Sequence, residues 1–272
     1  MTDHPKETGA AGVLGRFRAE AASRGLPSAE VAEWIRTVLP MAGLADRGEG
    51  VAAGRFGGDP PLPPDAPDPS SPFVASVDCA ALPPGAAGLP LPSDGHLLFF
   101  VHPDLDADGP DAGAVRYVPA GTPTVPRRWD GDREPFEERA LFAVPGTLSP
   151  QRPEDFVQGR WSVPELSHYA LARRLDDAWQ DAIGGEDADG GPREDAWFRL
   201  GGNPLTRNTH PVRYAAARSG PPGEGVDDWV LLAAWLCGSD VEDLDDGVVH
   251  WVIPRRDLAA LRFDRVQVHV EI

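Results

Sequence analysis

After residue 50 the chain is a succession of short apolar runs bounded by glycine and proline, each with the length of a β-strand. Phe73–Asp78, 95–102 and Gly113–Val118 form one series, and Trp229–Cys237, 247–253 and 264–271 form another. The last run alternates: Val266, Val268 and Val270 face one way, while Gln267, His269 and Glu271 face the other, which predicts a strand with one wet face. A further strand is expected over 138–144. Helical spacing appears where Val31, Trp34, Ile35, Val38 and Leu39 follow Ser28 as a cap and precede Pro40 as a stop. Val13, Leu14 and Phe17 suggest an earlier helix over 10–24, ended by Gly25. A helix entered at Pro164 carries Leu166, Tyr169, Leu171, Leu175 and Trp179 to about residue 183, ahead of an acidic, Gly-rich loop over 184–191.

The two strand series follow two copies of one motif. Arg55-Phe56-Gly57-Gly58-Asp59-Pro60 returns 144 residues later as Arg199-Leu200-Gly201-Gly202-Asn203-Pro204. Matched order and spacing predict an internal duplication: an α+β fold with an N-terminal helical segment (1–50), a first β-rich repeat (51–160) and a second (161–272), built as mostly antiparallel halves around a central helix.

Composition narrows the partners. A formal net charge of −18 opposes nucleic acid and anionic membrane alike, since both demand clustered cations, and it favours a basic protein partner. The chain has no apolar stretch long enough to span a bilayer, so a cytoplasmic protein is expected. Cys79 and Cys237 close equivalent runs and read as buried thiols rather than a disulfide. Thirty glycines and thirty prolines, gathered between the runs, point to stiff loops.

Candidate chemistry is sparse. Each R-x-G-G-x-P corner is a tight turn in which paired glycines allow positive φ, and the binding candidates are Arg55, Gly57, Gly58 and Asp59 with Arg199, Gly201, Gly202 and Asn203. Related by a pseudo-dyad, Arg55 and Arg199 could present two guanidinium forks to one carboxylate or phosphate; alternatively, each staples its own turn. Neither corner is a nucleotide loop, because the GxGxxG and GxxxxGK[ST] patterns are absent. Asp104, Asp106 and Asp108 match the first half of a calcium loop, but Val115 stands where the bidentate Glu belongs. The seven histidines are dispersed, with His96 and His250 in matched strands one register apart, and no G-x-S-x-G elbow marks a serine nucleophile. No cofactor and no catalytic residue is expected.

Arg55-Phe56-Gly57-Gly58 with Pro61-Leu62-Pro63, Phe73–Asp78, Gly95–Val101, Ala140–Pro150, the second arginine corner, Trp229–Leu232 with Ser239-Asp240, and Ile253–Leu258 running to Val270 together resemble the YwqG-like family of bacterial cytoplasmic proteins. The resemblance covers roughly residues 50–272 and implies an α+β fold without an established activity. Phe198 stands where that family often has His, Ala233 where it often has Gln, and Glu242–Gly247 replaces a Gly-Met-x-Trp-Gly-like stretch. The sequence therefore points first to a non-catalytic protein-binding module, inhibitor-like or immunity-like. Its alternatives are a small-molecule anion binder or hydrolase with a cleft between the repeats, and a homodimer paired through the strand ending at Ile272.

Overall fold

A computed structural model describes residues 9–48, 51–102, 112–131, 134–144, 147–183, 196–220, 223–238, 244 and 247–271. The helices are α1 (Ala10–Ser23), α2 (Ser28–Thr37), α3 (Pro153–Arg160), α4 (Leu166–Ile183), α5 (Pro211–Ser219) and α6 (Arg255–Ala259). The strands are β1 (Leu39–Ala45), β2 (Gly54–Phe56), β3 (Pro61–Leu62), β4 (Phe73–Asp78), β5 (His96–Val101), β6 (Gly113–Val118), β7 (Val125–Pro126), β8 (Arg139–Val144), β9 (Leu148–Ser149), β10 (Phe198–Gly201), β11 (Trp229–Leu236), β12 (Val248–Pro254) and β13 (Gln267–Glu271). The chain is α+β.

One stretch that reads as helical is a strand. Pro40 cannot continue α2 and biases Leu39 toward extended angles, so the chain enters β1 directly, and residues 39–45 lie in the middle of the sheet rather than in a helical appendage. Burial of Met41 to Ala45 then decides its place.

Eleven strands pair antiparallel in the order β13-β12-β11-β10-β1-β8-β2-β4-β5-β6, with β9 also on β1; β3 and β7 form a separate pair. The sheet curls until its two end strands, β6 and β13, touch, with the 3-10 turn Phe263–Arg265 packed against β6, so the shape is nearly a barrel. Alternation sends Phe56, Phe99, Phe198, Leu200, Trp235 and Trp251 inward to a shared core. Phe99 meets both Phe198 and Trp251 edge-on, and Trp251 Nε1 donates to the Phe100 carbonyl at 3.1 Å, joining β12 to β5 across the interior.

The two ends of the sheet run in matching register. Ala140, Arg55, Ser76, Leu98 and Arg116 form one rung across β8-β2-β4-β5-β6; Gly43, Arg199, Ala234, His250 and His269 form the corresponding rung across β1-β10-β11-β12-β13. A register shift falls three residues before the rung on each side, at Phe73/Ala75 and at Leu231/Ala233. Three residues after it, Cys79 and Cys237 donate their N–H groups to Gly95 and Gly247 at 2.9 Å in both cases. Where the ends join, the pairing is symmetric about Ala45↔Phe142. His96 pairs with Asp78 and Val248 with Leu236, so the two strand histidines are two residues apart in register, not one.

Helices cover the outer face on the β10–β13 side. Helices α1 to α4 build a second core in which Phe17 meets Trp179 and Trp34 meets Phe156. Helix α5 lays Val212 and Ala215 against Trp229, Leu231, Ala234 and Val252. The face of β13 expected to be wet is therefore covered: Glu271 is buried and His269 half-buried, because the segment from β10 through α5 folds back over them. No helix among the described residues is long and apolar enough to cross a membrane.

Candidate functional site

Both arginine corners have the same backbone. Gly57 and Gly58 have φ of 67° and 70°, and Gly201 and Gly202 have 70° and 78°, a region that side chains with a Cβ resist. Close approach adds a second requirement at Gly201, where a Cβ would stand 2.1 Å from the Ala87 carbonyl oxygen, and at Gly57, where it would meet two carbonyls at 2.4 and 2.5 Å. These four glycines serve the turn.

The arginines differ in what they touch. Arg55 is satisfied within its own corner: Nη1 pairs with Glu138 Oε2 at 2.5 Å, Nη2 donates to the Asp59 carbonyl at 2.5 Å, and the fork lies over the Phe73 ring. Arg199 occupies the equivalent rung but, among the described residues, has only the Met41 Sδ, 3.4 Å from Nη1. Its Nη2 has no hydrogen-bond partner among the described residues, and the residue is 8% exposed. The register explains the contrast. Glu138 lies two positions before Ala140, the rung partner of Arg55, and Met41 lies two positions before Gly43, the rung partner of Arg199. Where one end of the sheet supplies a carboxylate, the other supplies a thioether, and a guanidinium is left buried without a counter-charge among the described residues. Burial pushes its pKa down to about 10.

Two strands, β1 and β8, separate the corners, and the two guanidiniums share no partner, so the structure does not bring Arg55 and Arg199 together on one ligand. Asp59 contributes its carbonyl to Arg55. Asn203 acts as a bracket: its Nδ2 donates to the Thr37 and Ser149 carbonyls at 2.8 and 2.7 Å, and its backbone N–H donates to Ser149 Oγ, tying the corner to α2 and β9. Asp104, Asp106 and Asp108 lie outside the described residues. Among the described residues no group of three or more His, Cys, Asp or Glu is placed to hold a metal.

Arg199 opens onto a cleft of about 490 Å³ between the corner, the segment from β9 into α3, and one face of α4. Its size suits a small molecule. Pro150, Pro204, Leu205 and Trp179 supply apolar walls, and the charged lining is Arg152, Arg173 and Arg199 against Glu154 and Asp176. Among the described residues the lining carries three guanidiniums against two carboxylates, on a chain with a net charge of −18. Arg152 is engaged by Glu154 at 3.5 Å. Asp176 has no ion-pair partner among the described residues; it accepts a hydrogen bond from Gln180 Nε2 at 3.3 Å, and burial raises its pKa from the ordinary aspartate value.

Beneath α5, on the same rung as Arg199, the His250 ring is wholly buried with neither nitrogen hydrogen-bonded among the described residues, and burial drives its pKa down to about 3. It is held neutral. Neighbouring Glu271 accepts the backbone N–H groups of Arg207, Asn208 and Thr209, clamping the segment that continues from the cleft wall. Burial pushes its carboxyl up, but hydrogen bonds from His269, Thr209, Arg207 and Asn208 outweigh that and hold it at about 2. Cys79 and Cys237 are both buried and form no disulfide, and burial lifts the Cys79 thiol to about 12, which makes it a poor nucleophile.

Arg199 and Asn203 are legible as candidates from the repeated motif, whereas Arg152, Arg173 and Asp176 are not. Arg173, Asp176 and Gln180 recur at i, i+3 and i+7 along α4, a polar stripe beside the Leu175 and Trp179 stripe and the one signal that could mark a lined face. The acidic loops behind the basic-partner expectation, 184–191 and 240–246, lie outside the described residues except for Leu244.

No curated protein matches the chain. Residues 54–271, from the start of β2 to the end of β13, match a family described as a domain of unknown function (DUF1963). That span takes in both arginine corners and every strand that follows them, and the chain belongs to this family.

Proposed function

We propose that this protein binds a small oxyanion, a carboxylate or a phosphate group, in the cleft at Arg199. One observation carries the reading: of two arginines on equivalent rungs, Arg55 has a carboxylate built in and Arg199 has Met41 in that carboxylate's place. A buried guanidinium without a counter-ion costs several kcal/mol, and an anion arriving in the cleft removes that cost while gaining charge-assisted hydrogen bonds to the guanidinium. The wider reading takes the chain as an internally duplicated, YwqG-like, cytoplasmic protein. The matched rungs support duplication, the quoted motifs support the kinship, and two buried thiols that form no disulfide suit a reducing compartment.

Calorimetric titration with acetate and with inorganic phosphate tests the reading, and Met41→Glu serves as an internal competitor that supplies the missing carboxylate. Binding of one of the two by the wild type, weakened at least about tenfold in the variant, is the expected result. A wild type that binds neither anion, or a variant that binds as well as the wild type, overturns it.

A further inference from the structure

The cleft holds two groups of opposite charge that do not pair with each other and have no ion-pair partner among the described residues. Arg199 lines it with Nη2 unpartnered among the described residues, and Asp176 lies on the α4 wall with one hydrogen bond, from Gln180, while the charge of Arg152 acts on it without forming an ion pair. The remaining carboxylate of the lining, Glu154, is engaged by Arg152. Arg173 is exposed on α4, where a guanidinium is well solvated. The two partly or wholly desolvated groups are therefore the ones left incomplete, and both line a single space. Neither a simple anion nor a simple cation completes both.

We infer that the ligand is a zwitterion, with its acid group on the Arg199 guanidinium and a cationic amine on the Asp176 carboxylate. This inference rests on the oxyanion reading of Arg199 and adds the second pole. Between the poles, the side chains of Pro150, Pro204, Leu205 and Trp179 offer apolar walls suited to the methylene or carbon backbone of an amino acid. The ligand class is amino acids in the broad sense, α- or ω-amino, and the space between the two groups selects the length.

The probes are glycine, 4-aminobutyrate and 6-aminohexanoate, each titrated beside its deaminated counterpart, acetate, butyrate and hexanoate. At least one amino acid is expected to bind about ten times or more tightly than its counterpart, as a charge-assisted hydrogen bond in a half-buried site would give. Asp176→Asn should abolish that preference with the plain acid still bound, and Asp176→Ala should do the same. Thermal melts of both variants confirm that α4 remains folded. If each amino acid binds no better than its plain acid, the zwitterion inference falls and the oxyanion reading stands. If neither series binds, both fall.

Discussion

Replacing Arg199 with methionine should make the protein more stable and end its capacity to bind anions. A guanidinium whose pKa falls from the ordinary arginine value to about 10 on folding is disfavoured in its charged form by roughly 3 kcal/mol, at about 1.36 kcal/mol for each tenfold change in proton affinity. The folded protein loses that proton more readily than the unfolded chain, so the penalty is fully present below pH 10 and is relieved only as pH rises from about 10 toward the ordinary arginine value. It therefore acts in full at neutral pH. Methionine matches the length of the arginine stem and carries no charge. Allowing for packing imperfections, the gain should be about 1 to 3 kcal/mol, a rise in Tm of roughly 2 to 6 °C for a chain of this size. Differential scanning calorimetry in anion-poor buffer reads the shift, and repetition with added acetate or phosphate reads the loss of ligand stabilisation. A fall in Tm of more than about 3 °C would mean that Arg199 is satisfied by the protein itself, and the reasoning for the cleft would fail.

Two further outcomes follow from the same geometry. Gly201→Ala should cost about 3 kcal/mol or more, because positive φ and the Ala87 carbonyl both oppose a Cβ, whereas Gly25→Ala, with equally positive φ but open space, should cost only about 1 kcal/mol; urea melts of the pair separate strain from clash. His250→Leu should flatten the loss of stability in acid. The folded imidazole titrates near 3 and the unfolded one near 6.5, so wild-type stability is complete above 6.5 and lost as pH falls through 6.5 toward 3, and Tm measured at pH 7, 5 and 4 should decline less in the variant, which places on this rung the leucine already present at Leu98.

Strand alternation and turn residues make most of the sheet readable from the sequence itself. The runs 73–78, 95–102, 113–118 and 229–237 each form a strand within a residue or two of the expected ends, since their faces are sorted by one closed core. Strand β1 is hidden because Pro40 reads equally well as the end of a helix, and only the empty place between β10 and β8 calls for a strand there. The same blind spot conceals the site. Met41 lies 158 residues from Arg199, and its position opposite that arginine exists only through the β1–β10 pairing. The repeated motif locates both arginines but makes them look alike, since what separates them is the neighbouring strand's residue, Glu138 or Met41, and neither belongs to the motif. The covered face of β13 escapes the sequence for a related reason: period-two alternation tells which residues share a face, not what a later helix lays over it.

The most direct test is a crystal soaked in bromide, with the anomalous signal used to locate bound anions. A bromide peak within hydrogen-bond distance of the Arg199 guanidinium, lost when Met41 is replaced by glutamate, is the predicted result. A guanidinium found paired with a carboxylate of the protein, with no anion in the cleft, would contradict the account.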